Sequence, residues 1–206
     1  MKLKLFTKPD VPLEAECIST AVISQLKVKE AEKMKIYHGN REANIADFFK
    51  VTKGKDDLLE VEGDMHRIKY LGANMSSGCM QIEGDVGAHL GSAMSGGFLK
   101  VNGNAGDWVA PEMTGGRIHI SGSGGHCIAS AYRGASKGVS GGEIIIEGNV
   151  KNELGHGMAG ATMVVGGQCG DFTGVNMISG TILTFGEMGL RTGAGMKRGS
   201  IAVSYT

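Results

Sequence analysis

From Gly63 onward, apolar and polar residues alternate in short runs, and each run ends at a glycine. The glycines are Gly63, Gly84, Gly103, Gly122, Gly148, Gly167 and Gly186, at steps of 21, 19, 19, 26, 19 and 19 residues. Two positions before each stand Val61, Ile82, Val101, Ile120, Ile146, Val165 and Thr184. Four before stand Leu59, Met80, Leu99, Ile118, Ile144, Met163 and Ile182, and a last run, Ser200 to Tyr205, supplies Ile201 and Val203 to the same columns. The residues between the columns are mostly polar, as at Glu60, Gln81, Lys100 and His119. A period of two within each run, repeated about every 19 residues, predicts parallel strands stacked with one face inward. Such a turn is too short for a crossover helix, because a βαβ unit takes about 30 residues. The expected fold is therefore all-β: a right-handed parallel β-helix, a single-stranded solenoid of seven to eight rungs, on the order of 35 Å long.

The repeat also explains its own glycines. Gly87, Gly106, Gly125, Gly170 and Gly189 lie three residues after the strand glycine, and Gly91, Gly155, Gly174 and Gly193 lie seven after, with Ala110 and Ala129 in two turns. Corners of a tight coil need positive φ or close backbone approach, so the pattern is a corner rule and not a phosphate cradle. Met75, Met94, Met113, Met158, Met177 and Met196, with Val139 in the fifth rung, form a column that reads as stacked core packing. Asp64, Asp85, Asn104, Ser123, Asn149 and Gln168 follow the strand glycines and read as a polar ladder.

Residues 1–55 lack the repeat. Lys2 to Phe6 alternates like a strand, Ala21 to Met34 reads as one amphipathic helix, and His38-Gly39-Asn40 as a turn, with Gly39 a possible helix C-cap. Phe48 and Phe49 offer apolar area to seal an open end. A solenoid's terminal rung would otherwise expose apolar side chains and unpaired backbone, so this segment is expected to be a small α/β N-terminal cap, with residues 56–206 the β-helix.

Composition narrows the function classes. Lys plus Arg and Asp plus Glu both number 21, a net charge of zero that argues against nucleic-acid or membrane-surface binding. No run approaches the roughly 18 apolar residues of a membrane span, and the polar, acidic N-terminal stretch does not suit a signal peptide, so a cytoplasmic protein is expected. Of 35 glycines, 33 lie at or after Gly63, and their periodicity removes the usual inference of disorder. Cys17, Cys79, Cys127 and Cys169 form no Cys-x-x-Cys pair and read as reduced structural thiols. His38, His66, His89, His119, His126 and His156 fall in different columns without metal-ligand spacing, and no nucleophile motif or P-loop occurs. No catalytic, cofactor-binding or metal-ligating residue is expected on this chain.

Two departures from the period remain. The 26-residue step carries a seven-residue insertion within AYRGASKGVSGG, Ala131 to Gly142. Insertions in solenoids emerge as loops on one face, often the binding face. Tyr132, Arg133 and Lys137 suit it to an anionic ligand or a partner surface, against the alternative of a plain bulge. The single tryptophan, Trp108, is either an interface anchor or a corner filler. Trp108, Tyr132, Arg133 and Lys137 are the candidate partner interface.

Several segments carry a family likeness: His38-Gly39-Asn40-Arg41 with Asp47-Phe48-Phe49, Gly106-Asp107-Trp108, Pro111-Glu112-Met113, Gly125-His126, and Ala131-Tyr132-Arg133-Gly134 with Lys137-Gly138. Gly170-Asp171-Phe172-Thr173-Gly174-Val175-Asn176-Met177 and Gly193-Ala194-Gly195-Met196-Lys197-Arg198-Gly199 continue it. With them the chain resembles the glutamate synthase C-terminal GXGXG-repeat domain family, in its branch of formylmethanofuran dehydrogenase C subunits. The resemblance implies a non-catalytic scaffold in a cytoplasmic complex of methanogenesis and one-carbon metabolism. That complex reduces carbon dioxide through formate to formylmethanofuran. Tungsten or molybdenum pterin, iron-sulfur clusters and a binuclear metal site would lie on molybdopterin-type and amidohydrolase-like partner subunits. The alternatives are the C subunit of the bacterial formyltransferase/hydrolase complex, and a glutamate synthase-like spacer, against which the Met1 start with its own cap speaks. Family members usually continue past the last repeat, so ending at Tyr205-Thr206 leads one to expect a cap that is lost or supplied by a partner.

Overall fold

The computed structural model describes residues 1–204. The N-terminal elements are strands β1 (Lys2–Leu5) and β2 (Leu13–Glu14), helices α1 (Thr20–Ile23) and α2 (Val28–Glu32), strands β3 (Lys35–His38) and β4 (Arg41–Asn44), helix α3 (Ile45–Phe48) and strand β5 (Phe49–Thr52). The repeat supplies β6 (Leu58–Glu62), β7 (Ile68–Lys69), β8 (Cys79–Glu83), β9 (Phe98–Asn102), β10 (Arg117–Ile120), β11 (Glu143–Ile146), β12 (Ala159–Val165), β13 (Ser179–Thr184) and β14 (Ser200–Val203). Tyr205, expected at the end of the last strand, lies outside the described residues.

Strands β6 and β8 to β14 stack in parallel as a β-solenoid of about eight turns. Leu59, Met80, Leu99, Ile118, Ile144, Met163, Ile182 and Ile201 pair in unbroken register, and all but Ile201 are buried. The 26-residue step does not disturb this: Ile118 pairs directly with Ile144, so the inserted residues leave the stack as a loop. A second line of parallel bridges, including Met65 to Val86 and Val150 to Cys169, ties most turns to the next away from the main sheet. Thr184, the one hydroxyl in the inner columns, is fully buried and donates to the Gly167 carbonyl at 2.9 Å, which removes the cost of burying it.

The methionines pack as expected in all but the last turn. Met75, Met94, Met113, Met158 and Met177 are wholly buried, whereas Met196, in the final coil, is 37% exposed. The buried ones end beneath the glycine that opens the next rung: a Cβ on Gly97 or Gly116 would come within 2.7 Å of the methyl group of Met75 or Met94. Gly106 shows the other corner requirement, since a Cβ there would stand 2.9 Å from the Gly87 carbonyl carbon of the rung below. The polar ladder also forms. The Asp85 carboxylate accepts from the Asn104 amide at 2.7 Å, Asn104 Oδ1 from the Ser123 amide at 2.8 Å, and Asn149 Oδ1 from the Gln168 amide at 2.8 Å.

Residues 1–55 sit over the first rung and extend its sheet. β1 runs parallel to β6 and β5 antiparallel to β1, while β2 joins β7 in a small sheet ordered β4-β3-β2-β7. Phe48 and Phe49 are buried with Leu3, Ile36, Ile45 and Val51. The single helix expected over Ala21 to Met34 is instead two short ones. Ile23, Leu26 and Val28 cannot share one helical face, because positions two apart point away from each other. Lys27 becomes extended (φ −75°, ψ 157°), its amide donates to Glu30 at 2.8 Å, and α2 restarts with Ala31 buried. Gly39 caps no helix; its φ of +62° serves the β3–β4 hairpin. Among the described residues no helix is long and apolar enough to cross a membrane.

Two outcomes test this packing. Met94→Ala should destabilise the protein by about 2–5 kcal/mol in denaturant unfolding, the cost of a buried cavity. The proposed boundary at residues 55 and 56 predicts that a 56–206 fragment is insoluble; recovery of a soluble monomer would refute the capping role.

Candidate recognition corner

Each turn of the solenoid carries a residue in the left-handed region at the same corner. The column is Tyr70 (φ 62°), His89 (62°), Trp108 (58°), Cys127 (58°), Glu153 (63°), Phe172 (62°) and Arg191 (58°). Non-glycine residues seldom adopt such φ, and seven at one register position show that the stack of amides above and below dictates the backbone there. The amides of Tyr70, His89, Trp108 and Phe172 donate to Ala88, Asp107, His126 and Leu190, one rung on, at 2.9–3.1 Å. With the backbone repeating so strictly, the side chains stack as well.

The Tyr70 and His89 rings are 4.6 Å apart and within 11° of parallel, and Trp108 follows at 6.4 Å and 12°. The insertion loop closes over this stack. Tyr132 lies 5.1 Å from Trp108, and its hydroxyl is 2.8 Å from His89 Nδ1. Further along, the Arg191 guanidinium stands 5.5 Å over the Phe172 ring. Beside the loop a cleft of about 360 Å³ is lined by Trp108, Cys127, Tyr132, Arg133, Glu153 and His156 among others. A larger one, about 600 Å³, lies at the N-terminal segment between Leu26, Val28, Lys53 and Leu58.

Burial sets the protonation of the groups at this corner. Burial, with Lys69 adding to it, pulls the His89 imidazole below its ordinary 6.5, so the ring is neutral at pH 7. Burial raises the hydroxyls of Tyr70 and Tyr132. Burial, then the neighbouring Glu153, pushes the Cys127 thiol up to about 11, and burial likewise takes Cys17 to about 11, which leaves both protonated and poor nucleophiles. Other histidines are tied to carboxylates on the surface: His66 to Asp64 and His119 to Glu147, both at 2.8 Å, and His156 to Glu153 at 3.4 Å. Among the described residues no three His, Cys, Asp or Glu side chains are grouped so as to hold a metal ion.

Of the four interface candidates, the structure brings Trp108 and Tyr132 into contact, while Arg133 and Lys137 stand exposed on the loop. Tyr70 and His89 join them without having stood out in the sequence. Their signal is there: His89 and Trp108 both follow their strand glycine by five residues, and Tyr70 by seven, because the first turn is two residues longer.

A coil of about eight parallel rungs places the chain among β-solenoid proteins, and comparison with known proteins gives the family. No family model matches the chain. It is 40% identical over 79 residues to the C subunit of the molybdenum-containing formylmethanofuran dehydrogenase 1 of Methanothermobacter marburgensis, covering 37% of this chain and 20% of that protein. The C subunit of the tungsten-containing formylmethanofuran dehydrogenase 2 of Methanothermobacter thermautotrophicus is 34% identical over 84 residues, 38% of this chain and 31% of that protein. A chain in the crystal structure of the formyltransferase/hydrolase complex from Methylorubrum extorquens, solved with methylofuran, superposes with a TM-score of 0.92 at 32% identity. That match covers 99% of this chain and 77% of the other, whereas the matches to the curated relatives span a third of their length or less. The chain belongs to the family of C subunits of formylmethanofuran dehydrogenase and of the formyltransferase/hydrolase complex.

Two measurements probe the corner. If the rings hold the loop, Tyr132→Ala should speed tryptic cleavage after Arg133 and Lys137 severalfold; an unchanged rate would show the loop is held otherwise. His89 has a depressed folded pKa, so above 6.5 it is neutral folded or unfolded and imposes no penalty. As pH falls below 6.5 the unfolded chain takes up a proton that the folded ring resists, so stability should drop there, seen in Trp108 fluorescence and lost in His89→Gln.

Proposed function

We propose that this chain is the non-catalytic scaffold, the C subunit, of a cytoplasmic formylmethanofuran dehydrogenase complex, which reduces carbon dioxide through formate to formylmethanofuran. The observation that carries the reading is the near-complete match to a chain of a formyl-handling complex, 99% of this chain at a TM-score of 0.92, joined to partial identity with dehydrogenase C subunits. The physics of the solenoid supports it. The rungs consume the inner side chains in packing, and surface contacts with Asp64, Glu147 and Glu153 occupy three of the histidines. What is left to act is surface, and a rigid rod with a flat sheet and a ring-lined corner suits holding larger subunits in fixed positions. In this reading the redox pterin, iron-sulfur clusters and binuclear metal site belong to partner chains. The corner of Trp108 and Tyr132, with Arg133 and Lys137 on its loop, is one contact for them, such as an amidohydrolase-like subunit.

The same match favours a second reading, the C subunit of a formyltransferase/hydrolase complex, because the solved relative that covers this chain comes from such an assembly. Metal analysis of the complex purified through this chain separates the two. Tungsten or molybdenum with iron is the expected result for the dehydrogenase. Zinc alone would move the assignment to the hydrolase complex.

A further inference from the structure

The outward face of the main sheet changes character along the rod. Its central column runs Glu60, Gln81, Lys100 and His119 over β6, β8, β9 and β10, then Ile145, Val164, Leu183 and Ala202 over β11 to β14. The mostly polar column expected from the sequence holds only for its first half. Ile145, Val164 and Leu183 are half-buried and Ala202 exposed, stacked in direct register, and Phe185 beside them is 50% exposed. Nothing about the fold requires this. Outward strand positions tolerate any side chain, and the first half of the same column shows that polar ones stack there equally well.

The patch has a defined rim. At its first edge the Arg117–Glu143 ion pair and the His119–Glu147 hydrogen bond link β10 to β11 and the residue after it. Thr162, Thr181 and Ser200 line the side where the strands enter, preceded by exposed Lys197 and Arg198. Exposed Glu147 and Glu187 follow the side where they leave. An apolar centre inside a polar rim is the anatomy of a protein interface. Four strands about 4.8 Å apart, each presenting about four residues, make a patch of only about 200 Å². A stable two-fold pair needs about 800 Å² per partner, so a second copy meeting this flat face alone would fall well short. A larger subunit that continues round the rod to other surfaces would not.

We propose that the outward face of β11 to β14 docks a different subunit of the same complex. The docking partner presents an aliphatic patch to Val164 and Leu183, a basic group to Glu187 and an acidic group to the Lys197–Arg198 side. This rests on the scaffold reading above and adds a named surface to it.

The test uses the complex purified from its host through a tag on this chain, with co-purifying subunits identified and quantified by mass spectrometry. The double variant Val164→Glu/Leu183→Glu points away from the core, so its circular dichroism should match the parent, with melting lowered by the two adjacent charges but still well above the assay temperature. Recovery of at least one identified partner subunit should fall tenfold or more. Val164→Ser/Leu183→Ser, which adds no charge, should give a smaller loss, and Lys100→Glu on the polar half none. Undiminished recovery with both double variants would overturn the proposal while leaving the scaffold reading intact. A homodimer of the isolated chain in light scattering, dissolved by the glutamate pair, would overturn it in favour of a second copy. Failure of the parent chain to bring down any subunit of the complex would sink both the scaffold reading and the docking face.

Discussion

Every rung of this molecule depends on the rung beneath it. Within a turn the backbone makes only short bends of its own, such as the Met94 amide to the Gly91 carbonyl; most strand and corner groups bond to the neighbouring turn, as the Gly106 amide does to the Val86 carbonyl at 3.0 Å. A single turn could neither satisfy those groups nor bury its two or three inward side chains. Stacking solves both at once, and the spacing it imposes, about 4.8 Å, leaves room for backbone but not for a Cβ at positions such as Gly106. The glycine pattern, the methionine column and the unbroken register across the insertion are consequences of that one spacing.

The same constraint explains where variation is permitted. The two inward columns of the main sheet are held to Leu, Ile, Val, Met and one hydroxyl that finds a carbonyl, Thr184. Corner positions take a side chain only where left-handed backbone is accepted, and where the side chains are rings, as at Tyr70, His89 and Trp108, they lie ring on ring. Outward positions and inserted loops are free. A solenoid built this way can vary its surface at different heights without disturbing the core, and the Tyr132 loop and the Val164–Leu183 patch occupy such free positions.

The N-terminal segment and the corner show where local pattern falls short. The stretch from Ala21 to Met34 has helix formers throughout, yet the chain breaks at Lys27, and Ile23, Leu26, Val28 and Ala31 all pack against the core. Tertiary contact overrode propensity. At the corner, Trp108 and Tyr132 are legible as isolated features 24 positions apart, but their contact needs the loop to fold back across the stack. His89 reads as a lone histidine until Tyr70, Trp108 and the Tyr132 hydroxyl are placed around it.

The solenoid, its rung length, its inner columns and the place of the insertion all follow from the order of residues alone. Each rung repeats the same short-range requirements, so seven copies of one local pattern specify one stacked structure. The unrepeated parts acquired their roles only in three dimensions: how β1, β5 and β2 join both sheets, where the helix breaks, and which residues of different turns meet as a ring stack. Those depend on contacts between segments that share no period, and a linear pattern carries no record of which of them will touch.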